Sequence, residues 1–312
     1  MTELEFKPPF VAGKTSLRAQ AVLYDTEPAA VARALESLAR SAELARAEGL
    51  LHHVEFALGD SSKTPALTTR QIRELTEMVE QRGVDKLEYQ FFDRNMGTAA
   101  GHNRLFQASA ADLVLIENPD IVVTPRLIAD LIAPLRVASV GQVEARQLPF
   151  EHGKAYDLTT GDTSWASGAC SLVPSALFES VGRYDEDSFF LYCDDVDLSW
   201  RVRMAGYRVV FQPSASVFHD KRLSPSGEWS PSAAEVYYSA EAALILAHKY
   251  SRPDLVERHL RTFDASPLEP YQRAAATYRK RLGEGGLPAP IDSDHKVAQF
   301  IDGYYARQRF TS

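Results

Sequence analysis

Short apolar runs alternate with amphipathic segments through the first third of the chain. Runs of apolar and β-branched residues predict strands at 18–24, 53–58 and 87–92. Between them, residues 28–48 and 67–82 have the spacing and composition of helices. A strand repeatedly followed by a helix is typical of an α/β fold with a mainly parallel sheet flanked by helices.

A further strand is predicted within residues 112–123, after a helix at 103–111. Its apolar run, Leu113–Ile116, is short and branched, as in strands that are covered on both faces. Asn118-Pro119 breaks the run, so the strand ends in a turn. Two shorter strands are predicted at 170–173 and 207–211.

The pattern becomes helical from about Pro231 onward. Candidate helices lie at 233–250, 254–262, 270–282 and 296–309. We therefore expect an α/β domain over residues 1–230 and a C-terminal helical extension over residues 231–312. Apolar positions recur at helical spacing in the extension, which favours packing on the α/β domain or within a homo-oligomer. A weak contact with an anionic membrane surface is the alternative.

The composition is that of a globular protein, since 45% of the 312 residues are apolar and 24% are charged. The net charge of −8 argues against nucleic acid as a partner. No apolar run approaches the length that crosses a bilayer, and the first residues lack the pattern of a leader. Cys170 and Cys193 are too few for a disulfide framework. These features predict a cytoplasmic protein with at most peripheral contact at the inner face of the membrane.

Candidate chemistry is densest in residues 189–201, where an aromatic run leads into Asp194, Asp195 and Asp197. Carboxylates that are drawn toward an interior repel one another and lose hydration, so such a cluster usually binds a cation or handles a proton. A structural alternative exists for Asp197, which can cap a helix whose interior begins at Leu198.

A second carboxylate site, at Asp120, lies just after the strand that Asn118-Pro119 ends. Ligands of open α/β sheets bind at the carboxyl ends of the strands. Asp120 can therefore present its oxygens to a magnesium or manganese ion that carries a diphosphate. A turn stabilised by the Asp120 side chain is the alternative.

The order of these pieces resembles that of the family 2 glycosyltransferases, most closely their rhamnosyltransferase-like branch. The matching segments within residues 18–222 are Asn95–Gly97, Gly101–Asn103, Asn118–Asp120, Gly168–Ala169, Gly182–Glu186, Phe189–Leu198, Arg201 and His219. The resemblance implies a GT-A fold and an inverting, metal-dependent sugar transfer from a nucleotide-diphosphate donor, dTDP-rhamnose or a UDP-hexose. It also implies a glycan or lipid-linked saccharide as the acceptor, in bacterial surface polysaccharide synthesis.

The resemblance assigns the cation, Mn²⁺ or Mg²⁺, to Asp120 and His219. His219 would lie on a loop that returns to the site after the strand at 207–211. Lys221 and Arg222 follow it and would cover the diphosphate as part of a mobile loop, or they form a solvated basic pair.

The resemblance assigns the general base to Asp195. Asp194 precedes it where the family usually has Glu, which leaves open which of the two carboxylates reaches the acceptor hydroxyl. Asp197 would orient the site or cap the helix, with Arg201 and Arg203 as its ion-pair partners.

The donor would lie across the carboxyl ends of the first strands. The residues assigned to it are Asp25, Asp60, Asn95, Gly97, Asn118 and Gly168. Asp25 and the segment 59–62 depart from the family pattern, whereas Asn95 and Gly97 match it; an ordinary turn is the alternative for Gly97. Trp165 and Asp194 are assigned to the acceptor, with the Trp165 ring stacked on a sugar or, alternatively, packed in the core.

Two other functions are the alternatives. A sugar-nucleotide nucleotidyltransferase shares the general fold, but it needs a Gly-rich phosphate loop near the first strand, and residues 25–28 do not supply one. A non-catalytic, nucleotide-sugar-binding module is disfavoured because Asp120, Asp195 and His219 are all present.

Overall fold

The computed structural model describes residues 14–107, 109–151, 153–219 and 231–306, and within them the strands form one eight-stranded sheet. The strands are β1 (Thr15–Leu23), β2 (Leu51–Asp60), β3 (Lys86–Phe91), β4 (Leu113–Glu117), β5 (Ile121–Val123), β6 (Val140–Leu148), β7 (Cys170–Pro174) and β8 (Arg208–His219). Their order across the sheet is β3-β2-β1-β4-β7-β6-β8-β5.

Strand β4 lies where the sheet changes from parallel to antiparallel pairing. It is parallel to β1 and antiparallel to β7, with Glu117 opposite Cys170. The carboxyl ends of β1, β2, β3 and β4 therefore meet the entry to β7 at one edge of the sheet. Ligands of open α/β sheets bind at this edge. The prediction of a mainly parallel α/β sheet is confirmed.

Helices cover both faces of the sheet. They are α1 (Pro28–Ala47), α2 (Thr69–Glu80), α3 (Gly97–Phe106), α4 (Leu127–Ile132), α5 (Ser175–Ser180), α6 (Asp194–Met204), α7 (Ala233–Lys249), α8 (Pro253–Ala265) and α9 (Glu269–Gly283). In β4, Leu113 and Leu115 join the apolar core on one face, and Val114 and Ile116 join the core on the other. This alternation explains the continuous apolar run, since the strand has no solvent-facing side.

Three predicted elements differ from the observed ones. Helix α3 begins at Gly97 rather than at residue 103. Gly101, within it, lets the helix approach Val22 of β1, which a Cβ would meet at 2.8 Å. The predicted helix at 296–309 is absent from the described residues 296–306, where the Asp292 carboxylate accepts the backbone N–H groups of residues 296–298. His219 ends strand β8 instead of lying on a loop. The strands β5 and β6 and the short helices α4 and α5 were not predicted.

The C-terminal helices pack against α6 of the α/β part. Trp200 of α6 makes edge-on ring contacts with Tyr250 at 4.7 Å and with Phe300 at 5.2 Å between centroids. Beside them, the fully buried Asp197 carboxylate pairs with Lys249 at 2.6 Å and with Arg201 at 2.7 Å. The predicted helical extension is thus docked on its own chain, while the domain boundary at residue 230 stays a prediction. No helix of the described residues is both long and apolar enough to cross a membrane.

Replacing Lys249 with methionine should destabilise the protein by about 3–5 kcal/mol, the usual cost of leaving a buried ion-pair partner uncompensated. Lys249 also pairs with Asp185 at 2.7 Å, so two carboxylates lose a cation. Urea unfolding monitored by tryptophan fluorescence measures the change. Lys280→Met, at an exposed position of α9, is the control and should be nearly neutral. Equal stabilities of the two variants would contradict this role of Lys249.

Candidate active site

Asp194 and Asp195 are the first two residues of α6. The chain reaches them through Tyr192 (φ 68°) and Cys193 (φ 57°), both in the left-handed region that non-glycine residues rarely adopt. Asp194 Oδ2 accepts a hydrogen bond from the Thr98 hydroxyl at 2.7 Å. Asp195 Oδ2 accepts the backbone N–H of Gly168 at 2.8 Å. The surrounding contacts therefore hold two neighbouring carboxylates in different directions.

Burial and mutual repulsion act against ionisation of this pair. Burial, followed by the charge of Asp195, raises the pKa of Asp194 above the usual carboxyl range. Burial also raises the pKa of Asp195, but the N–H groups of Gly168 and Val196 oppose the shift. The N-terminus of α6 favours negative charge as well. Asp195, which accepts two backbone N–H groups, is the better stabilised anion of the two.

Asp120 and His219 lie together at the carboxyl end of β4, although 99 positions separate them in the sequence. Asp120 Oδ1 is 3.4 Å from His219 Nε2, because β5 pairs with β8 in a register that sets Ile121 opposite His219. The Asp120 side chain is 38% exposed and that of His219 is 13% exposed. Asn118 Nδ2 lies 3.2 Å from His219 Nε2, and a hydrogen bond between them requires a lone pair on that nitrogen.

This pair fits a divalent cation that is bound together with a substrate. The described residues hold no group of three or more His, Cys, Asp or Glu side chains that could bind a metal by themselves. Mg²⁺ sites commonly use one or two protein carboxylates and take their remaining ligands from substrate phosphates and water. Asp120 and His219 supply an oxygen and a nitrogen at an open edge of the sheet, which suits such a shared site.

Backbone contacts connect the cation side of the site to the carboxylate pair. The N–H of Asn118, directly after β4, donates to the carbonyl of Ala169 at 3.0 Å. The neighbouring Gly168 donates to Asp195, as described above. The two ends of the candidate site are therefore joined through the two residues that precede β7.

The turn before α3 shapes the other wall of the site. The Asn95 side-chain oxygen accepts the N–H of Gly97 at 3.0 Å. Gly97 has a φ of +70°, and a Cβ there would overlap the carbonyl oxygen of Phe190. The same carbonyl accepts the N–H of Thr98 at 3.1 Å. The Asn-Gly pair thus sets the start of α3 and directs Thr98 toward Asp194, whereas donor contact by Asn95 and Gly97 stays a prediction.

The two acids after β1 and β2 differ in accessibility. Asp25 is exposed, and its N–H donates to the Ser62 hydroxyl at 2.9 Å. Asp60 is fully buried and accepts the N–H groups of Ser62 at 2.9 Å and Ala66 at 2.7 Å, as well as the Tyr89 hydroxyl. These contacts are those of a side chain that holds the loop after β2. Donor binding by Asp60 stays a prediction.

Three expectations for single residues need correction. Trp165 is 1% exposed, with Tyr305 edge-on at 5.2 Å, so its covered ring does not stack on an acceptor sugar. Arg203 donates to the carbonyl of Val297 at 2.7 Å, and Lys249 replaces it as a cation beside Asp197. Asp197 does not cap the helix, because α6 already begins at Asp194. The predicted positions of Lys221 and Arg222 lie outside the described residues.

The fold is of the GT-A type, as in two solved glycosyltransferase structures. The crystal structure of GalNAc-T7 with UDP, GalNAc and Mn²⁺ is similar with a TM-score of 0.59 at 12% identity, over 86% of this chain and 56% of that one. The mannosyltransferase PcManGT from Pyrobaculum calidifontis, in complex with GDP-Man and Mn²⁺, gives 0.53 at 15% identity, over 91% and 84%. At such low identities the likeness establishes the fold alone.

Sequence similarity identifies rhamnosyltransferases as relatives. The N-acetylglucosaminyl-diphospho-decaprenol L-rhamnosyltransferase of Mycobacterium tuberculosis is 37% identical over 87 residues, which are 28% of this chain and 27% of that protein. Rhamnosyltransferase WbbL of Escherichia coli K12 is 34% identical over 55 residues, 18% and 20% of the two chains. No family model matches the chain. The predicted resemblance is confirmed, over about a quarter of the length of the first of these relatives.

Replacing Gly97 with alanine should lower both stability and any activity of the site. The new Cβ would push Phe190 away from Thr98, in addition to the strain of a positive φ, which costs about 1–2 kcal/mol. Gly49→Ala is the matched control, because Gly49 has a φ of +71° and open space around it. Thermal unfolding of both variants should show the larger loss for Gly97→Ala. Equal losses would mean that the Phe190 contact is unimportant.

Proposed function

We propose that this protein is an inverting, metal-dependent glycosyltransferase. It transfers a sugar from a nucleotide-diphosphate donor, dTDP-rhamnose or a UDP-hexose, to a hydroxyl of a glycan or lipid-linked saccharide in bacterial surface polysaccharide synthesis. The observation that carries the proposal is the continuous contact path from His219 and Asp120 through Asn118 and Gly168 to Asp195. The names of the two rhamnosyltransferase relatives support rhamnose as the sugar, and the mycobacterial name supports a lipid-linked acceptor.

Asp120 and His219 are the residues that hold Mn²⁺ or Mg²⁺ in this proposal. When bound there, such an ion would supply positive charge beside the negative charge that develops on the diphosphate leaving group. The donor lies across the carboxyl ends of β1–β4, within reach of Asp25, Asn118 and Gly168. The Mn²⁺ in the solved GalNAc-T7 and PcManGT structures supports a divalent cation.

Asp195 acts as the general base. The acceptor oxygen forms a bond to the anomeric carbon from the face opposite the diphosphate, the bond to the diphosphate oxygen breaks, and the hydroxyl proton passes to Asp195. One carboxylate is sufficient for this single displacement, which inverts the anomeric configuration. The Gly168 N–H keeps Asp195 oriented. Asp194, held by Thr98, borders the position of the acceptor.

A donor panel tests the function. The purified protein is incubated with Mn²⁺ and each of dTDP-rhamnose, UDP-glucose, UDP-galactose and UDP-N-acetylglucosamine, and nucleoside diphosphate and free or transferred sugar are measured. We expect sugar release, with an inverted product anomer by NMR. In a parallel reaction with a nucleoside triphosphate and a sugar 1-phosphate, release of pyrophosphate with formation of the nucleotide sugar would instead indicate a nucleotidyltransferase. Donor binding without any turnover would indicate a non-catalytic module.

Replacing Asp120 with alanine should abolish the metal-dependent turnover while leaving the fold intact, because the side chain is partly exposed. A chelator should inactivate the wild type, and added Mn²⁺ should restore the wild type but not Asp120→Ala. Glu284→Ala, at an exposed acid of the C-terminal extension, is the control and should respond as the wild type does. Full activity of Asp120→Ala, or of the chelated wild type, would refute the cation assignment.

Replacing Asp195 with asparagine preserves the shape of the side chain but removes its proton affinity. Transfer should fall by at least about two orders of magnitude, the usual scale for loss of a general base. Donor affinity, measured by calorimetry, should be retained. Asp194→Asn is the comparison and should lose less. If Asp194→Asn is inactive and Asp195→Asn remains active, the base is Asp194.

A further inference from the structure

We propose that Lys154 is a positioning residue for Asp195. It holds, with Glu144, the segment that orients this carboxylate, and its positive charge favours the ionised form of the carboxylate. The inference rests on the proposed function, in which Asp195 is the base. Neither Lys154 nor Glu144 belongs to the segments that match the family.

Lys154 and Glu144 form an ion pair inside the protein. Their side chains are 5% and 3% exposed, respectively. Lys154 Nζ also donates to the carbonyl of Trp165 at 2.6 Å and lies 4.1 Å from the centre of the Trp165 ring. The backbone N–H of Ser167 lowers the pKa of Glu144 on β6, against the larger effect of burial. Lys154 therefore contacts the segment 165–168 directly, and Glu144 interacts with the same segment near Ser167.

The same segment holds Asp195 at two points. Gly168 donates its N–H to Asp195 Oδ2 at 2.8 Å. Ala166 donates its N–H to the Ser199 hydroxyl at 2.9 Å, and that hydroxyl donates to the Asp195 carbonyl at 2.7 Å. A displacement of this segment would therefore turn the Asp195 carboxylate away from its present direction.

The charges around Asp195 make Lys154 more than a structural support. The ionisable groups that face it are Asp194 and Cys193 at the start of α6, Glu144 on β6, Lys154, Tyr184, and Tyr305 of the C-terminal extension. Asp194 and Glu144 add negative charge, whereas the two tyrosines and the thiol are neutral at ordinary pH. The positive charge of Lys154 lowers the pKa of Asp195.

Stability alone does not explain this ion pair. Removing two charges from water carries a penalty that their attraction often fails to repay, so apolar residues of similar volume are frequently neutral or stabilising replacements. Lys154 and Glu144 form such a buried pair beside the segment that holds Asp195. Their charge acts on the nearby carboxylate, which is a property that apolar residues cannot supply.

The test compares Glu144→Gln with the double variant Glu144→Gln/Lys154→Met. The two proteins differ only at Lys154. The double variant leaves neither member of the pair as an unmatched buried charge, whereas in Glu144→Gln the lysine keeps the Trp165 carbonyl and the charge of Asp195 as its partners. Removing the lysine charge disfavours the Asp195 anion, so the pKa of Asp195 should be higher in the double variant by about one unit. Glu144→Gln alone should shift it downward relative to the wild type, since a negative neighbour is lost.

Two measurements read this difference. The first is the acid limb of kcat/KM against pH, which should move to higher pH in the double variant. The second is an NMR titration of isotope-labelled aspartate carboxyl groups, with the Asp195 signal identified by its loss in Asp195→Asn. Glu144→Gln/Lys154→Arg, which restores a cation, should return the titration toward that of Glu144→Gln.

The outcomes separate the two proposals. Identical titrations in Glu144→Gln and the double variant would overturn the role of Lys154, even if both proteins are less stable than the wild type. The NMR titration does not require turnover. If the wild type is inactive, the proposed function is refuted, but the change in the pKa of Asp195 still measures the electrostatic interaction between Lys154 and Asp195. A titration shift without a matching shift in the acid limb would overturn the role of Lys154 in catalysis.

Discussion

The buried carboxylate of Asp197 is the contact on which the arrangement of the site depends. It is 0% exposed, and it is matched by Arg201 from its own helix, by Lys249 from α7, and by the hydroxyl of Tyr250 at 3.1 Å. A buried charge without partners is very costly, so this contact favours the packing of α7 against α6. Since Asp197 follows Asp195 by two positions, this packing also fixes the helix turn that presents the base.

The carboxylate cluster that stands out in the sequence therefore divides into two kinds of group. Asp197 is an interior charge that is neutralised by cations on two elements. Asp194 and Asp195 lie at the helix start, where N–H groups and the helix dipole favour negative charge without cancelling it. A carboxylate that is stabilised by N–H groups can still bind a proton, and neighbouring charges still shift its pKa. A general base requires both properties.

The sequence predicts the first strands and helices because their periodicity is local, and the order of the polar turns predicts a GT-A fold. Contacts between distant residues are not visible in this way. The family resemblance assigns Asp120 and His219 to one site, but no local pattern does so, because their contact depends on the register of β5 with β8 and β5 has only three residues. Trp165 was misplaced because Tyr305, distant in the sequence, covers its ring. No sequence pattern around Lys154 or Glu144 indicates a role for them, since they lie beside the segment before β7 only in the folded chain.

The position of the site follows from the change of strand direction at β4 and β7. The turn after β4 ends at Asp120, which is partly exposed, while the segment entering β7 reaches Asp195, which is half-buried. In the proposed reaction the charged diphosphate of the donor lies on the open side of the site, where water and a cation can stabilise its charge. The acceptor hydroxyl meets the enclosed side, where a low dielectric strengthens the influence of each charge on Asp195. The strands β4 and β7 thus lie between two sides of the site. In the proposed reaction the solvated side takes the diphosphate, and on the other side neighbouring charges set the proton affinity of Asp195.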